Sequence, residues 1–293
     1  DVHMSRGLGD VYKRQILSLT MIFFGSELFA GGHSSTLQDV KARGKLRCVV
    51  TTGLPGFAAP DANGVWRGFD WDFCRATAAA VLGDANAVDP ITSTGKTRFT
   101  KLNAGEGDVL WRNTTITFSR DVSVKLRFLG VNYYDGQGFM VNKSLGVSSA
   151  KELDGASVCI QTGTTTELNL ADYFSSNNMS YEAVTIETND EARQNYEAGR
   201  CDIYTTDASG LASTRSSLPN PNDHMVLPEI ISKEPLGPAV RQGDDAWADI
   251  ITWVLAATIT AEELGVTSSN VDQMKNSNNP EIRRMLGTDG SQG

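Results

Sequence analysis

The sequence predicts an α/β protein folded into two lobes whose sheets are largely parallel. The chain has 293 residues, of which 40% are hydrophobic and 21% charged, and this is enough apolar material for two separate cores. Strand-like and helix-like segments alternate along it, a pattern typical of parallel sheets covered by helices. Two successive strand patterns within residues 128–142 interrupt the alternation once, after which it resumes.

The segments before that interruption predict the first lobe. The clearest is a helix over residues 69–82, because apolar residues recur three, seven and eight positions after Phe73 and Gly83 ends the run. Thr77 lies within this apolar stripe and is small enough to be tolerated there. The other predicted elements are a helix at 34–43, strands at 45–51, 87–93 and 108–111, and a helix at 97–104.

The segments after the interruption predict a second, similar lobe. Ligands of open α/β sheets bind at the carboxyl ends of the strands, so the residues that follow each strand are candidates for function. Residues 52–60 and 112–121 follow strands and are predicted as loops. The elements predicted for this lobe are strands at 157–161, 181–186 and 202–206, and helices at 165–175, 188–198 and 207–216.

Residues 1–30 have the pattern of a secretory signal peptide. Basic residues precede a short apolar run at 16–24, and small residues follow it. The run is far shorter than the roughly 20 apolar residues that span a bilayer, which disfavours the alternative of an uncleaved anchor. Residues 1–12 fit neither interpretation, and we expect an artefact or a misplaced start there. The mature chain is expected to begin near Gly31 and to be soluble outside the cytoplasm.

The net charge of the chain is −9 at pH 7. Residues 1–30 carry equal numbers of acidic and basic side chains, so the mature chain keeps this charge. An acidic surface disfavours nucleic acid and anionic membranes as partners. We expect a monomer with no cofactor.

The four cysteines of a secreted chain predict two disulfides, although three pairings are possible. The spacing favours pairing neighbours in the sequence, because each bridge then closes one local unit. A zinc site is the alternative, but the sequence has no C-x-x-C pair, and only His33 and His224 lie beyond the signal peptide. The predicted bridges are Cys48–Cys74 and Cys159–Cys201.

The loop after the strand at 108–111 is the first candidate binding feature. It contains Asn113, Thr114 and Thr115, and Arg120 follows five residues later. Hydroxyls, loop N–H groups and a guanidinium suit a carboxylate, because arginine can hold both oxygens through its planar fork. The alternative is an ordinary surface arginine.

The second candidate is the segment from Gln161 to Glu167, directly after a strand. Thr164 and Glu167 have the spacing of a capping box, which leaves the N–H groups of Thr165 and Thr166 at the start of a helix. Such a helix end attracts anions, although capping alone also explains the pattern.

The third candidate is Asp207, at the end of the strand predicted over 202–206. Its carboxylate is suited to a ligand ammonium, and the alternative is a simple N-cap of the following helix. A site with carboxylate-binding groups on one lobe and an ammonium-binding acid on the other is suited to an α-amino acid.

Several long stretches carry a resemblance to a known family. The chain resembles the general L-amino acid ABC transporter binding proteins, within the bacterial family that includes the glutamine-, glutamate- and lysine/arginine/ornithine-binding proteins. The resemblance covers roughly residues 35–290. The stretches that carry it are 52–76, 112–121, 130–141, 156–174, 196–212, 227–244 and 279–290.

The resemblance implies a type II periplasmic binding protein fold with two hinge crossings, near 131–138 and 234–238. It implies lobe 1 over 31–133, lobe 2 over 134–235, and a return to lobe 1 with C-terminal helices over 236–293. It also implies capture of L-amino acids, with broad specificity, for the membrane permease subunits of an ABC importer.

The same resemblance assigns the site residues. Arg120 matches the family's carboxylate-binding arginine, with Asn113 and Thr115 as its partners in lobe 1. Thr165 matches the carboxylate partner in lobe 2, and Asp207 matches the ammonium-binding acid.

Four further residues bear on the ligand's side chain. Thr52 stands where several relatives have an acidic residue, which argues against a strictly basic ligand. Arg112 is expected to bias the pocket toward acidic side chains. Trp71 and Trp111 stand where smaller residues are expected, and they either alter the pocket or are core aromatics.

Two other functions remain as alternatives at this stage. One is an enzyme on the same fold, such as a secreted dehydratase similar to cyclohexadienyl dehydratase. The lobes offer little for catalysis, because His224 is their only histidine and the nucleophile pattern G-x-S-x-G is absent from the sequence. The other is a sensor ectodomain, which needs a following membrane span or signalling domain. We therefore expect no catalytic residues.

Overall fold

The structure, a computed structural model, describes residues 35–290. The predicted signal peptide at 1–30 and His33 lie outside the described residues. Among the helices described, none is long and apolar enough to cross a membrane.

The described chain alternates short strands and helices. The strands are β1 Leu46–Thr51, β2 Ala59–Pro60, β3 Trp66–Arg67, β4 Val88–Ser93, β5 Val109–Leu110, β6 Leu126–Phe128, β7 Tyr133–Asp135, β8 Gln137–Asn142, β9 Ala156–Gln161, β10 Tyr181–Ile186, β11 Ile203–Asp207, β12 His224–Val226, β13 Glu234–Leu236 and β14 Ala239–Arg241. The α-helices are α1 Thr36–Arg43, α2 Phe69–Leu82, α3 Arg98–Asn103, α4 Phe118–Val122, α5 Thr165–Ser176, α6 Asn189–Glu197, α7 Ala208–Ser216, α8 Asp245–Glu263, α9 Val271–Met274 and α10 Pro280–Met285.

Two five-stranded sheets organise these elements into two lobes, which confirms the predicted fold class. The first sheet has the order β4-β1-β5-β14-β6 and the second has the order β10-β9-β11-β8-β12. In each sheet one strand is antiparallel to both neighbours, namely β14 in the first and β8 in the second. The other four strands of each sheet run in one direction, so each sheet is largely parallel.

A separate pair of strands, β7 and β13, connects the two lobes. They pair antiparallel, with Glu234 opposite Asp135 and Leu236 opposite Tyr133. After β7 the chain enters the second lobe through β8, and after β13 it returns to the first lobe through β14. Both β8 and β14 are the antiparallel strands of their sheets. The strands β7 and β13 lie at the two predicted hinge crossings, whereas the exact lobe boundaries at residues 133 and 235 stay predictions.

The first lobe packs its sheet against α2 and α8, and its core contains both tryptophans whose role was open. Trp111 is fully buried, stacks on Phe73 with ring centroids 4.4 Å apart, and donates its indole N–H to the Thr77 hydroxyl at 3.2 Å. Trp71 is also buried and packs beside Trp66. Both are therefore core aromatics, and Thr77 is the polar partner that a buried indole requires.

The predicted loop at 112–121 is wrong in one respect. Its last part forms the short helix α4, because the Thr117 hydroxyl accepts a hydrogen bond from the N–H of Arg120 and caps the turn. Of the two strands predicted within 128–142, the first is shortened to β7 and the second corresponds to β8, and the two strands belong to different sheets.

The structure forms both predicted disulfides. Cys48 on β1 pairs with Cys74 on α2, and Cys159 on β9 pairs with Cys201, with Cα atoms 6.0 and 5.5 Å apart. Each bridge lies within one lobe, so neither restricts movement of one lobe relative to the other. In the chain-entropy model, loops of these lengths stabilise the fold by about 3–4 kcal/mol each.

Candidate ligand-binding site

Arg120 lies on α4 with its guanidinium turned into the protein. It is 7% exposed, donates from Nη1 to the carbonyl oxygen of Thr115 at 2.7 Å, and lies over the ring of Phe99. Burial lowers the pKa of this guanidinium to about 10. Among the described residues no carboxylate comes within 4.0 Å of it. Arg120 is thus a buried cation and not the surface arginine of the alternative interpretation.

Asn113 shapes the loop in front of Arg120. Its φ of 23° lies in the left-handed region, which asparagine tolerates better than most residues. The backbone N–H donates to Asp70 Oδ2 at 2.7 Å, which holds this conformation. The Asn113 side-chain oxygen is buried without a hydrogen-bond partner among the described residues. A buried acceptor of this kind is costly to leave unpaired, so it is suited to a ligand donor.

The start of α5 presents Thr165 from the second lobe. The Thr164 hydroxyl accepts from the N–H of Glu167 and caps the helix, as its spacing predicts. The Glu167 carboxylate accepts from the N–H of Gly163 at 2.9 Å and not from that of Thr164, so the capping box is only half formed. Thr165 donates its hydroxyl hydrogen to Glu234 Oε2 at 2.8 Å.

Asp207 ends β11 and is 7% exposed. It occupies the N-cap position of α7, but its side chain accepts no capping hydrogen bond, so the interpretation as a simple cap is wrong. Burial, with the nearby negative charges of Asp135 and Glu234, raises the pKa of the Asp207 carboxyl to about 8. A nearby cation, such as a ligand ammonium, stabilises the charged form of a buried carboxyl whose pKa is raised.

The two lobes touch around these residues. We call the space between the lobes at these residues the cleft; Thr115 and Arg120 of the first lobe and Thr165 and Asp207 of the second lobe border it. Across the cleft, the hydroxyl oxygens of Thr115 and Thr165 lie 3.3 Å apart. The Asn189 amide of the second lobe donates to the Thr51 hydroxyl of the first at 3.2 Å. These contacts define a closed arrangement.

A tight backbone contact supports this closure. A Cβ atom on Gly163 would come 2.9 Å from the Cα of Lys96 in the facing lobe, and a Cβ atom on Gly95 would come 2.9 Å from the carbonyl oxygen of Thr162. Gly163 also has a φ of 72°, which favours glycine. The turn before α5 and the turn before α3 therefore meet only because both contain glycine.

Two other predicted site residues, Thr52 and Gln161, have the following surroundings in the structure. Thr52 is exposed and lines a pocket of about 350 Å³ with Asn189 and Arg193 at the junction of the lobes. Gln161 is buried and donates its amide to the carbonyl oxygen of Glu187 at 2.6 Å, within the second lobe. Their roles in ligand binding stay predictions.

Three buried charged residues near the cleft were missed from the sequence, namely Arg98, Asp70 and Glu234. Glu234 lies on the hinge strand β13 and accepts from Thr165, Asn169 and Ser232. Charged residues are normally exposed, so a local sequence gives no sign that one is buried. Only the position of Glu234 within a predicted hinge was a usable signal.

The fold and the cleft together define a class of protein. Two α/β lobes, joined by paired crossing strands, close over a site where one lobe offers a buried guanidinium and the other a buried carboxyl. This is the two-lobed binding protein of the type II fold, in which a ligand is enclosed between lobes.

The comparison with known proteins agrees with this class. Residues 46–269 match the bacterial extracellular solute-binding proteins, family 3. The chain belongs to this family, so it is a solute-binding protein and not an enzyme.

Its relatives are similar over most of their length. The chain is 61% identical over 277 residues to the glutamate/glutamine/aspartate/asparagine-binding protein BztA of Rhodobacter capsulatus, covering 92% of this chain and 82% of the relative. It is 57% identical over 281 residues to the general L-amino acid-binding periplasmic protein AapJ of Rhizobium johnstonii, covering 94% and 82%. A solved periplasmic binding protein of Brucella ovis with glutathione bound is 56% identical, with a TM-score of 0.84 and coverage of 87% and 80%.

Proposed function

We propose that this protein captures L-amino acids in the periplasm and delivers them to the membrane subunits of an ABC importer. The observation that carries the proposal is a pair of buried ionisable groups at the cleft, Arg120 in one lobe and Asp207 in the other. Among the described residues Arg120 has no carboxylate within 4.0 Å, and Asp207 accepts no capping hydrogen bond. Each charge influences the pKa of the other group. An α-amino acid has the two complementary charges, a carboxylate for Arg120 and an ammonium for Asp207.

Three other residues complete the proposed grip on the α-carboxylate and ammonium. Thr115 and Thr165 offer hydroxyls from opposite lobes, 3.3 Å apart. Asn113 offers its unpartnered side-chain oxygen. Because this grip involves only atoms common to all L-amino acids, it favours a broad specificity, which the names of the relatives in Rhizobium johnstonii and Rhodobacter capsulatus support.

A ligand screen tests the breadth of this specificity. We expect several polar L-amino acids to stabilise ligand-stripped protein, by about 2.7 kcal/mol at 100 times their Kd. Thermal melting against the common L-amino acids and glutathione measures this stabilisation, with deaminated analogues as the matched control. Those analogues lack the partner of Asp207 and should not shift the melting temperature. Discovery of one ligand that binds a thousand-fold more tightly than all others would refute the breadth.

Closure of the lobes around the ligand is the second expected result. Only the closed arrangement brings Arg120 and Asp207 onto one molecule, and a ligand shifts an equilibrium by its differential affinity for the two states. We therefore expect a tightly bound amino acid to reduce the radius of gyration in small-angle scattering through hinge closure. An unchanged curve contradicts closure if a labelled distance between the lobes shows that the stripped protein is open.

A further inference from the structure

Helix α7 begins directly after Asp207, yet Asp207 does not cap it. The backbone of Asp207 is non-helical, with φ −54° and ψ 142°, as an N-cap residue requires, but its side chain accepts no hydrogen bond from the first turn. The first N–H groups of a helix have no partner within the helix, so other groups have to accept from them. The identity of those groups decides whether the Asp207 carboxylate is available to a ligand.

The junction of the hinge strand β7 with β8 supplies the acceptors. The N–H of Ala208 donates to the carbonyl oxygen of Gly136 at 2.8 Å. The N–H of Ser209 donates to Asp135 Oδ1 at 3.4 Å, and the Ser209 hydroxyl donates to Asp135 Oδ2. Asp135 thus makes the contacts that an N-cap side chain normally makes, although it lies 74 residues before Ser209 in the chain.

The hinge holds Asp135 in this position. Its Oδ1 atom also accepts from the N–H of Gly136 at 2.9 Å, and the register of the hinge strands places it opposite Glu234. A Cβ atom on Gly136 would come 2.7 Å from the carbonyl oxygen of Ser232, so only glycine lets this junction approach the segment before β13 so closely. The paired hinge strands therefore fix the acceptor for the start of α7.

We propose that Asp135 is a positioning residue, which caps α7 in place of Asp207 and so leaves the Asp207 carboxylate free to bind the ligand ammonium. The inference rests on the proposed function, because Asp135 acts through the contact between Asp207 and the ligand. If Asp207 capped its own helix, the N–H groups of α7 would compete with the ammonium for its oxygens.

The charge of Asp135 has a separate effect on the same carboxyl. Burial is the largest cause of the raised pKa of Asp207, and the negative charge of Asp135 raises this pKa further. Glu234 also raises it, whereas Arg98 and Arg120 lower it. Two other ionisable groups interact with Asp207, namely Arg112 and Tyr204. A neutral residue at position 135 should therefore lower the pKa of Asp207.

Two substitutions separate the cap from the charge. Asp135→Asn and Asp135→Ala both remove the negative charge, but only asparagine keeps an acceptor oxygen for the N–H of Ser209, and asparagine caps helices about as well as aspartate. We expect Asp135→Ala to bind an L-amino acid about fivefold more weakly than Asp135→Asn, because Asp207 then turns to cap α7. Calorimetric titration of both variants with the same L-amino acid at one pH measures the two Kd values.

The same comparison in an Asp207→Ala background shows whether Asp135 acts through Asp207. There the two Asp135 variants should bind equally, because no carboxylate remains that can turn from the ligand to the helix. A difference that persists without Asp207 would mean that Asp135 only supports the helix, and it would overturn the proposal. As a matched control, Asn279→Ala removes the cap of α10 in the C-terminal segment and should bind like the parent.

The pH dependence of affinity gives a readout of the charge. The rise of affinity with pH should occur at a lower pH in Asp135→Asn than in the parent, because Asp207 loses its proton more readily without the neighbouring charge. An unshifted profile would contradict this contact between the two carboxyls. The cap itself is tested by the alanine variant.

If Asp135→Ala does not fold, the carboxyl carbon resonance of Asp207 in the ligand-free parent replaces it. Titration well above the ordinary pKa of about 4 is expected. Titration at or below that value would show that Asp207 accepts the N–H groups of α7, which overturns the proposal. Equal Kd values for the alanine and asparagine variants overturn the positioning role alone, whereas failure of the parent to bind any L-amino acid overturns the proposed function.

Discussion

Replacement of Arg120 by alanine is expected to weaken amino-acid binding by about thirty-fold to several-thousand-fold. The substitution removes the guanidinium from a buried cleft and leaves the ligand carboxylate without its charged partner. Loss of such a partner costs about 2–5 kcal/mol, from which the range of Kd follows. Calorimetric titration of the parent and the variant with the same L-amino acid measures the change.

Two further variants define what Arg120 contributes. Arg120→Lys keeps the positive charge but lacks the planar fork, so it should also bind more weakly than the parent. Arg127→Ala, at an arginine paired with Asp245 on another part of the surface, should bind like the parent. If Arg120→Ala binds as tightly as the parent, Arg120 does not hold the carboxylate, and the proposed site is wrong.

Asp207→Asn should lower affinity by a similar factor, because an amide cannot supply the negative charge that pairs with the ligand ammonium. Affinity of the parent should also depend on pH. The pKa of the Asp207 carboxyl is raised to about 8, so below that pH it holds a proton that must leave before the ion pair forms. Affinity should therefore rise as the pH increases from about 6 to about 8, by at most tenfold per pH unit, and then level off.

The variant isolates this effect from another titrating group. Burial raises the pKa of Asp70 to about 6, so its ionisation begins to contribute in the same range. Asp207→Asn keeps Asp70 and should lose the rise near pH 8. Titrations of both proteins across this range measure the difference. A parent whose affinity stays constant between pH 6 and pH 8 contradicts the proposed role of the Asp207 charge.

Much of the fold was predictable because its signals are local. Helix α2 was predicted with the bounds Phe69–Leu82, since the apolar period and Gly83, in the left-handed conformation at the C-cap, are both readable in the sequence. Both disulfides were also predicted, because each closes a short segment within one lobe. Strand pairing between distant segments was less accessible from the sequence. The two strands within 128–142 were predicted, but their separation into different sheets depends on the pairing of β7 with the hinge strand β13.

The candidate site was likewise predictable from the sequence only in part. Arg120, Thr165 and Asp207 were selected because polar residues at the ends of strands gather at one edge of a parallel sheet. The sequence could not decide whether Asp207 only caps its helix, because the residue at the N-cap position is also the residue at the carboxyl end of the strand, where a ligand binds. The structure distinguishes them, because the side chain accepts no capping bond.

What the sequence by itself determined is the set of local choices: the alternation of strands and helices, the bridges, and the polar residues that follow the strands. What only the tertiary structure decided is which charged side chains are buried together. Arg98 is 65 residues from its partner Gly163 in the other lobe, and Glu234 on the hinge strand is 69 residues from its partner Thr165. The energetic effect of a charge depends on its burial and on neighbours brought from other segments, and a local sequence pattern contains neither.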